Sequence, residues 1–112
     1  MCTSEAQMKK YRVLRLTLSA KPFEATRLGE KHVELRRDSA WIRSRLIDRH
    51  SGLVREYDYI SYRHGYATDS PYTVCAWGGT VWCEEEINLG PYSNGLVLKT
   101  SGGVWAICNL FT

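Results

Sequence analysis

Lys31, Glu34 and Arg36 stand close together in the stretch Gly29-Glu30-Lys31-His32-Val33-Glu34-Leu35-Arg36. An ammonium, a carboxylate and a guanidinium at that spacing can serve one site. The carboxylate can accept hydrogen bonds from a base edge, or act as a general base if its surroundings tune its pKa. The two cations can hold a phosphate or stabilise negative charge developing in a reaction. The plain structural alternative is a surface ion pair contributing ~0–1 kcal/mol. Strand alternation places His32, Glu34 and Arg36 on one face, and Lys31, Val33 and Leu35 on the other. Val33 and Leu35 are then expected to face the core. An unpaired ammonium buried beside them would be costly. Lys31 is therefore expected at the strand mouth, swung towards a cleft where it meets Glu34 or a bound phosphate.

A second cluster is Tyr62-Arg63-His64-Gly65-Tyr66. Tyrosines on either side of an arginine and a histidine suit stacking on an unpaired base with phosphate contacts nearby. Tyr62 and Tyr66 equally suit the wall of a small barrel. His64 is the candidate there for proton transfer, whereas His32 and His50 read as structural. Trp41 and Arg45, one helical turn apart, can set a guanidinium over an indole. Arg36, Arg37, Arg43, Arg45 and Arg49 form the densest basic cluster and would suit a phosphate backbone. Ser93 lies in a loop from which it could reach the cleft as a hydroxyl donor or nucleophile, without an identifiable base. Glu84-Glu85-Glu86 reads as a solvated turn, so neither a metal nor a cofactor is implied. Trp77, Trp82 and Trp105 read as core or hairpin aromatics.

The elements that must position these groups follow from periodicity and punctuation. Arg12 to Leu18 alternates leucines with Arg15 and Thr17, a half-buried strand. Lys21-Pro22 opens a short helix that stops at Gly29, and the charged stretch follows as a second strand. Asp38-Ser39 can cap another helix from Ala40 to Ile47, with Ile42 and Leu46 on one face. Aromatic and β-branched strands fill the rest of the chain, with a bulge or sharp bend at Gly78-Gly79. Ser101-Gly102-Gly103 is a suitable hairpin turn between the last two. The expected fold is α+β: a small barrel of about six mainly antiparallel strands, closed to remove exposed edges, flanked by two short helices.

At 112 residues the chain fits one domain, residues 11–112, after a flexible start over residues 1–10. No apolar run approaches the ~20 residues that span a bilayer, and the N-terminus has no apolar signal region, so a cytoplasmic location is the expectation. Cys2, Cys75, Cys83 and Cys108 show no spacing suited to zinc or to a disulfide framework. The net charge of +3 is unevenly spread. Residues 1–50 carry 12 Lys/Arg against 6 Asp/Glu, and residues 51–112 carry 3 against 6. A basic first half suits a polyanion such as RNA or DNA.

From Lys21-Pro22-Phe23 through Gly29, Lys31, Glu34 and Arg36, the chain resembles the signature of the ASCH (activating signal cointegrator homology) family. Trp41-Ile42-Arg43-Ser44-Arg45-Leu46 and the block from Tyr57 to Tyr66, with Asp69 and Pro71 behind it, resemble further motifs of small phage and bacterial members. The likeness spans roughly residues 12–77. It implies a PUA-like barrel with a cleft, between barrel and helices, for RNA or a modified nucleotide. Relatives include nucleic-acid-binding modules, an amidohydrolase acting on acetylated cytidine nucleosides, and a ribonuclease. In the amidohydrolase branch a threonine nucleophile stands where this chain has Glu34, and many relatives have asparagine where it has His64. The expected function is RNA or modified-nucleotide binding by Lys31, Glu34, Arg36, Trp41, Arg45, Tyr62, Arg63, His64, Tyr66 and Ser93. The alternatives are a hydrolase of RNA or modified nucleosides, in which Lys31 and Glu34 are catalytic, and a protein-interaction domain with a vestigial cleft.

Overall fold

The computed structural model describes residues 10–110; the expected flexible start lies almost wholly outside them, as does Cys2. The elements run β1 (Val13–Thr17), α1 (Ala20–Arg27), β2 (Val33–Arg37), α2 (Ala40–Leu46), β3 (Tyr59–Arg63), β4 (Tyr72–Cys83), β5 (Ile87–Leu89), β6 (Leu98–Thr100) and β7 (Val104–Leu110). Five strands make one sheet in the order β1-β3-β4-β7-β2, and β5 and β6 pair separately. β1 and β3 are parallel, and the other neighbours antiparallel. The fold is α+β with two short helices.

The closed barrel expected from the strand count is not formed by backbone pairing among the described residues, because β1 and β2 remain the edges of the large sheet. Yet those edges meet through a side chain. Arg36 Nη2 on β2 donates to the Thr17 carbonyl on β1 at 2.9 Å. In a flat sheet, four strand spacings of ~4.8 Å would separate β1 from β2 by about 19 Å, well beyond an arginine's reach. The sheet therefore curls until one guanidinium closes the seam. Twist supplies the curl, and so does the register shift between Trp77 and Thr80 at the Gly78-Gly79 bulge.

The turn at Ser101-Gly102-Gly103 also differs from expectation. It does not fold β6 back on β7; it returns the chain from the β5–β6 excursion to the end of β4, where Gly103 N–H donates to the Cys83 carbonyl at 2.8 Å. Gly102 sits at φ 103°, and a Cβ there would lie 2.1 Å from the Glu84 carbonyl oxygen. The local sequence specified a tight turn, but the neighbour it serves is set by the long β4·β7 pairing.

Leu14, Leu16, Phe23, Ile42, Leu46, Ile60, Tyr62 and Ile107 form the core. Register places Glu34 opposite Ile107, on the face shared with these groups, and Leu35 opposite Ala106 on the other. Glu34 is consequently buried while Val33 and Leu35 are only half-buried, the reverse of the expected facing. Alternation separates the two faces without saying which turns inward, and here the carboxylate carries its own counter-ions into the core.

α2 is capped, and α1 stops, as the sequence suggests, although the Ser19 side chain at the start of α1 makes no capping hydrogen bond. Ser39 accepts a hydrogen bond from Ile42 N–H at 3.1 Å, and Pro22 sits in the first turn of α1. α1 ends in a Schellman motif: Gly29 N–H bonds to the Thr26 carbonyl, and Glu30 N–H to that of Ala25. Gly29 takes φ 81°, and the Lys31 amide then also bonds to the Ala25 carbonyl at 3.1 Å. The helix stop thus delivers Lys31 to the interior. A left-handed conformation costs an L-residue ~1–2 kcal/mol, so Gly29→Ala is expected to lower unfolding free energy by about that much in urea titration. An unchanged midpoint would show that the stop does not need this geometry.

Candidate functional site

Lys31 is completely buried and Glu34 is 8% exposed. Lys31 Nζ lies 2.8 Å from Glu34 Oε1, and Arg36 Nε lies 2.7 Å from Glu34 Oε2. One carboxylate thus holds two cations, one on each oxygen. Lys31 Nζ also stands 5.7 Å from the centroid of the Tyr62 ring, an added stabilisation for a desolvated ammonium. Asn109 completes the polar interior: its amide nitrogen donates to the Lys31 carbonyl at 3.3 Å, and its backbone N–H donates to the His32 carbonyl at 2.9 Å. The Tyr62 hydroxyl donates to Asn109 Oδ1 at 3.4 Å.

Lys31, Glu34, Arg36 and Tyr62 therefore converge, but mainly inside the protein. Neither Lys31 nor Glu34 offers an uncommitted polar atom to a ligand in this arrangement. Tyr62 lies inward on β3 and is fully buried, so it is a wall residue and not the stacking platform its sequence neighbourhood suggested. Burial lifts its phenol well above the usual tyrosine range, and the Glu34 charge adds to that. Burial likewise raises the Cys75 thiol, although Lys31 opposes the shift.

Arg36 is the member that faces outward, with 27% of its side chain exposed. Nε and Nη2 are committed to Glu34 and Thr17, which fixes the plane of the guanidinium. Outside it lies a depression of about 360 Å³ lined by Arg15, Thr17, Arg36, Trp41 and Tyr66. Trp41 is 48% exposed and Tyr66 92% exposed. Arg45 lies 5.1 Å from the Trp41 ring centroid, the packing expected from their spacing. α2 is set beside the seam by Asp38, which accepts from Arg43 Nε at 2.7 Å and from Trp105 Nε1 at 3.1 Å; those bonds, Arg43's first, hold the Asp38 carboxyl below its ordinary pKa.

The remaining expected residues have other commitments, although Arg63 also lines an adjoining hollow with Arg15, Thr17 and Tyr66. Arg63 packs 5.5 Å from the Tyr72 ring and reaches the carbonyls of Ala67, Thr68 and Ser70, so it organises the loop after β3. His64 stacks on Phe23 and its Nδ1 is 3.1 Å from the Leu18 carbonyl, in a separate apolar hollow beside α1. Ser93 is taken up by Glu30, through both its hydroxyl and its backbone N–H. Arg15, Thr17 and Asn109 join the site without having been singled out. Only Asn109 carried a local signal, as an amide within an otherwise apolar strand. Arg15 and Thr17 reach the site through the curl of the sheet.

Among the described residues, no group of three His, Cys, Asp or Glu side chains is placed to hold a metal ion, and no helix is long and apolar enough to cross a membrane. Compared with protein-family models, curated proteins and solved structures, the chain matches none.

A folded-state pKa raised above the unfolded tyrosine value of about 10 gives stability that is complete below that pH and lost as pH rises towards the folded value. The protein is therefore expected to lose stability steeply above about pH 10, and Tyr62→Phe to flatten that loss in denaturant titrations across the alkaline range. Identical alkaline slopes would remove Tyr62 from the buried cluster.

Proposed function

We propose that this chain binds nucleic acid, taking an unpaired or modified RNA nucleotide at the depression between β1, β2 and α2. One observation carries the reading: two exposed aromatic rings, Trp41 and Tyr66, line the same hollow as the guanidinium-bearing Arg15 and Arg36. Aromatic faces stack on bases of any sequence, and guanidiniums pair with phosphates in bidentate fashion. Arg36 is preorganised, because Glu34 and the Thr17 carbonyl hold it before a ligand arrives. The excess of Lys and Arg in the first half of the chain supplies a long-range attraction for a polyanion.

The ASCH-like motif implies a ligand of the same class. On this reading the curled sheet is a PUA-like barrel left open between β1 and β2, and the seam is the binding cleft. Binding without chemistry is preferred over hydrolysis because both oxygens of Glu34 are committed to cations and Lys31 is sealed from solvent.

Fluorescence titration with single-stranded oligoribonucleotides tests the proposal. The logarithm of the binding constant is expected to fall linearly with the logarithm of salt concentration. Trp41→Ala and Tyr66→Ala are each expected to weaken binding by ~5- to 150-fold, the equivalent of ~1–3 kcal/mol for one stacked base. Absence of saturable binding at low salt, or binding indifferent to both substitutions, refutes it.

A further inference from the structure

The flank of α2 away from Trp41 and Arg45 carries a second basic hollow. Ala40, Arg43, Ser44 and Ile47 recur at helical spacing on that flank, and with Arg49 and Arg55 they line a depression of about 440 Å³. Arg55 arrives from the segment that returns after the next turn. The chain leaves α2, reverses through Gly52, and is pinned back by the Ile47–Val54 bridge and by Arg55 N–H donating to the Leu46 carbonyl at 2.7 Å. Three guanidiniums thus converge on one hollow from a helix, the segment following it and a returning strand segment.

Their commitments differ. Arg43 is held by Asp38 at 2.7 Å, while Arg55 meets Asp48 only at 4.0 Å. Among the described residues Arg49 makes no ion pair. The Nε of Arg55 is buried and, among the described residues, lacks a hydrogen-bond acceptor, a costly condition for a donor. A convergent set of guanidiniums with an unmet buried donor calls for an anionic oxygen, and tetrahedral phosphate presents several to such a set.

We propose that the Arg43–Arg49–Arg55 hollow is a phosphate-binding site, holding either a phosphodiester of a bound strand or the phosphate of a small phosphorylated ligand. The strand form rests on the nucleic-acid reading above: a strand stacked at Trp41 would cross the exposed face of α2 and place a neighbouring phosphate here. Asp38 sets Arg43, Asp48 pairs Arg55 only at 4.0 Å, and Arg49 supplies charge that no ion pair among the described residues offsets.

Two measurements separate the site from the reading it extends. In the first, inorganic phosphate is titrated into the full chain while arginine Nε–H resonances are followed by NMR. Saturable shifts of Arg49 and Arg55 are expected, lost in Arg49→Ala, which alters an exposed side chain outside any regular element. In the second, the salt dependence of oligoribonucleotide binding is compared between the parent chain, Arg49→Ala and Arg55→Gln. Each substitution is expected to lower the logarithmic salt slope by ~0.7, the share of one phosphate contact on a single strand. Phosphate shifts without any oligonucleotide binding would support the small-ligand form and refute the nucleic-acid reading. Oligonucleotide binding that needs Trp41, with unchanged slopes and no phosphate shifts, would overturn this site and leave that reading standing.

Discussion

The Glu34 carboxylate is the constraint on which the architecture turns. It is buried among core side chains, where a lone charge would be untenable, and it is tolerated because Lys31 occupies one oxygen and Arg36 the other. Each partner depends on it in return. Lys31 has no exposed surface, and Arg36 spans from Glu34 to the Thr17 carbonyl across the open edge of the sheet. The interior ion cluster and the closure of the sheet are therefore one structure. Strand pairing leaves β1 and β2 as edges, and a guanidinium does the joining that backbone hydrogen bonds do elsewhere.

That arrangement has a consequence for ligand recognition. A free arginine loses rotamer freedom when it grips a phosphate or stacks on a base. Arg36 has already lost it on folding, because its position is determined by a buried carboxylate and a backbone carbonyl. The charges of the motif then divide their labour by depth: Lys31 and Glu34 position, and Arg36 presents. The exposed rings of Trp41 and Tyr66 come from elements on either side of the seam, so the hollow exists only when the sheet is curled.

Much of this was legible in the sequence because it was local. Ser39 as a cap, Gly29 as a left-handed stop, the Trp41–Arg45 stack and the bulge at Gly78-Gly79 each follow from residues within a few positions of one another. The approach of Lys31 to Glu34 was also legible, but at the strand mouth; its complete burial was not, because β2 turns Glu34 inward and the carboxylate takes the ammonium with it. What could not be read was non-local. The parallel pairing of β1 with β3 leaves β1 on an edge, so the closed barrel does not form. The pairing of β2 with β7 turns Glu34 inward and Val33 and Leu35 outward. Tyr62 and Tyr66, four residues apart, part company because one lies on a central strand and the other in the loop beyond it. Ser93 is drawn to Glu30 across a long sequence separation.

The buried pairing of Glu34 is what the rest of the structure depends on, and a double-mutant cycle on Lys31→Met and Glu34→Gln measures it most directly. Each single change should cost ~3–5 kcal/mol in equilibrium unfolding, because it strands a charge or breaks the network, and the double variant should recover a substantial part of that loss. Small and additive effects would mean that Lys31 and Glu34 are not paired in the interior and that the sheet is not closed around a buried carboxylate.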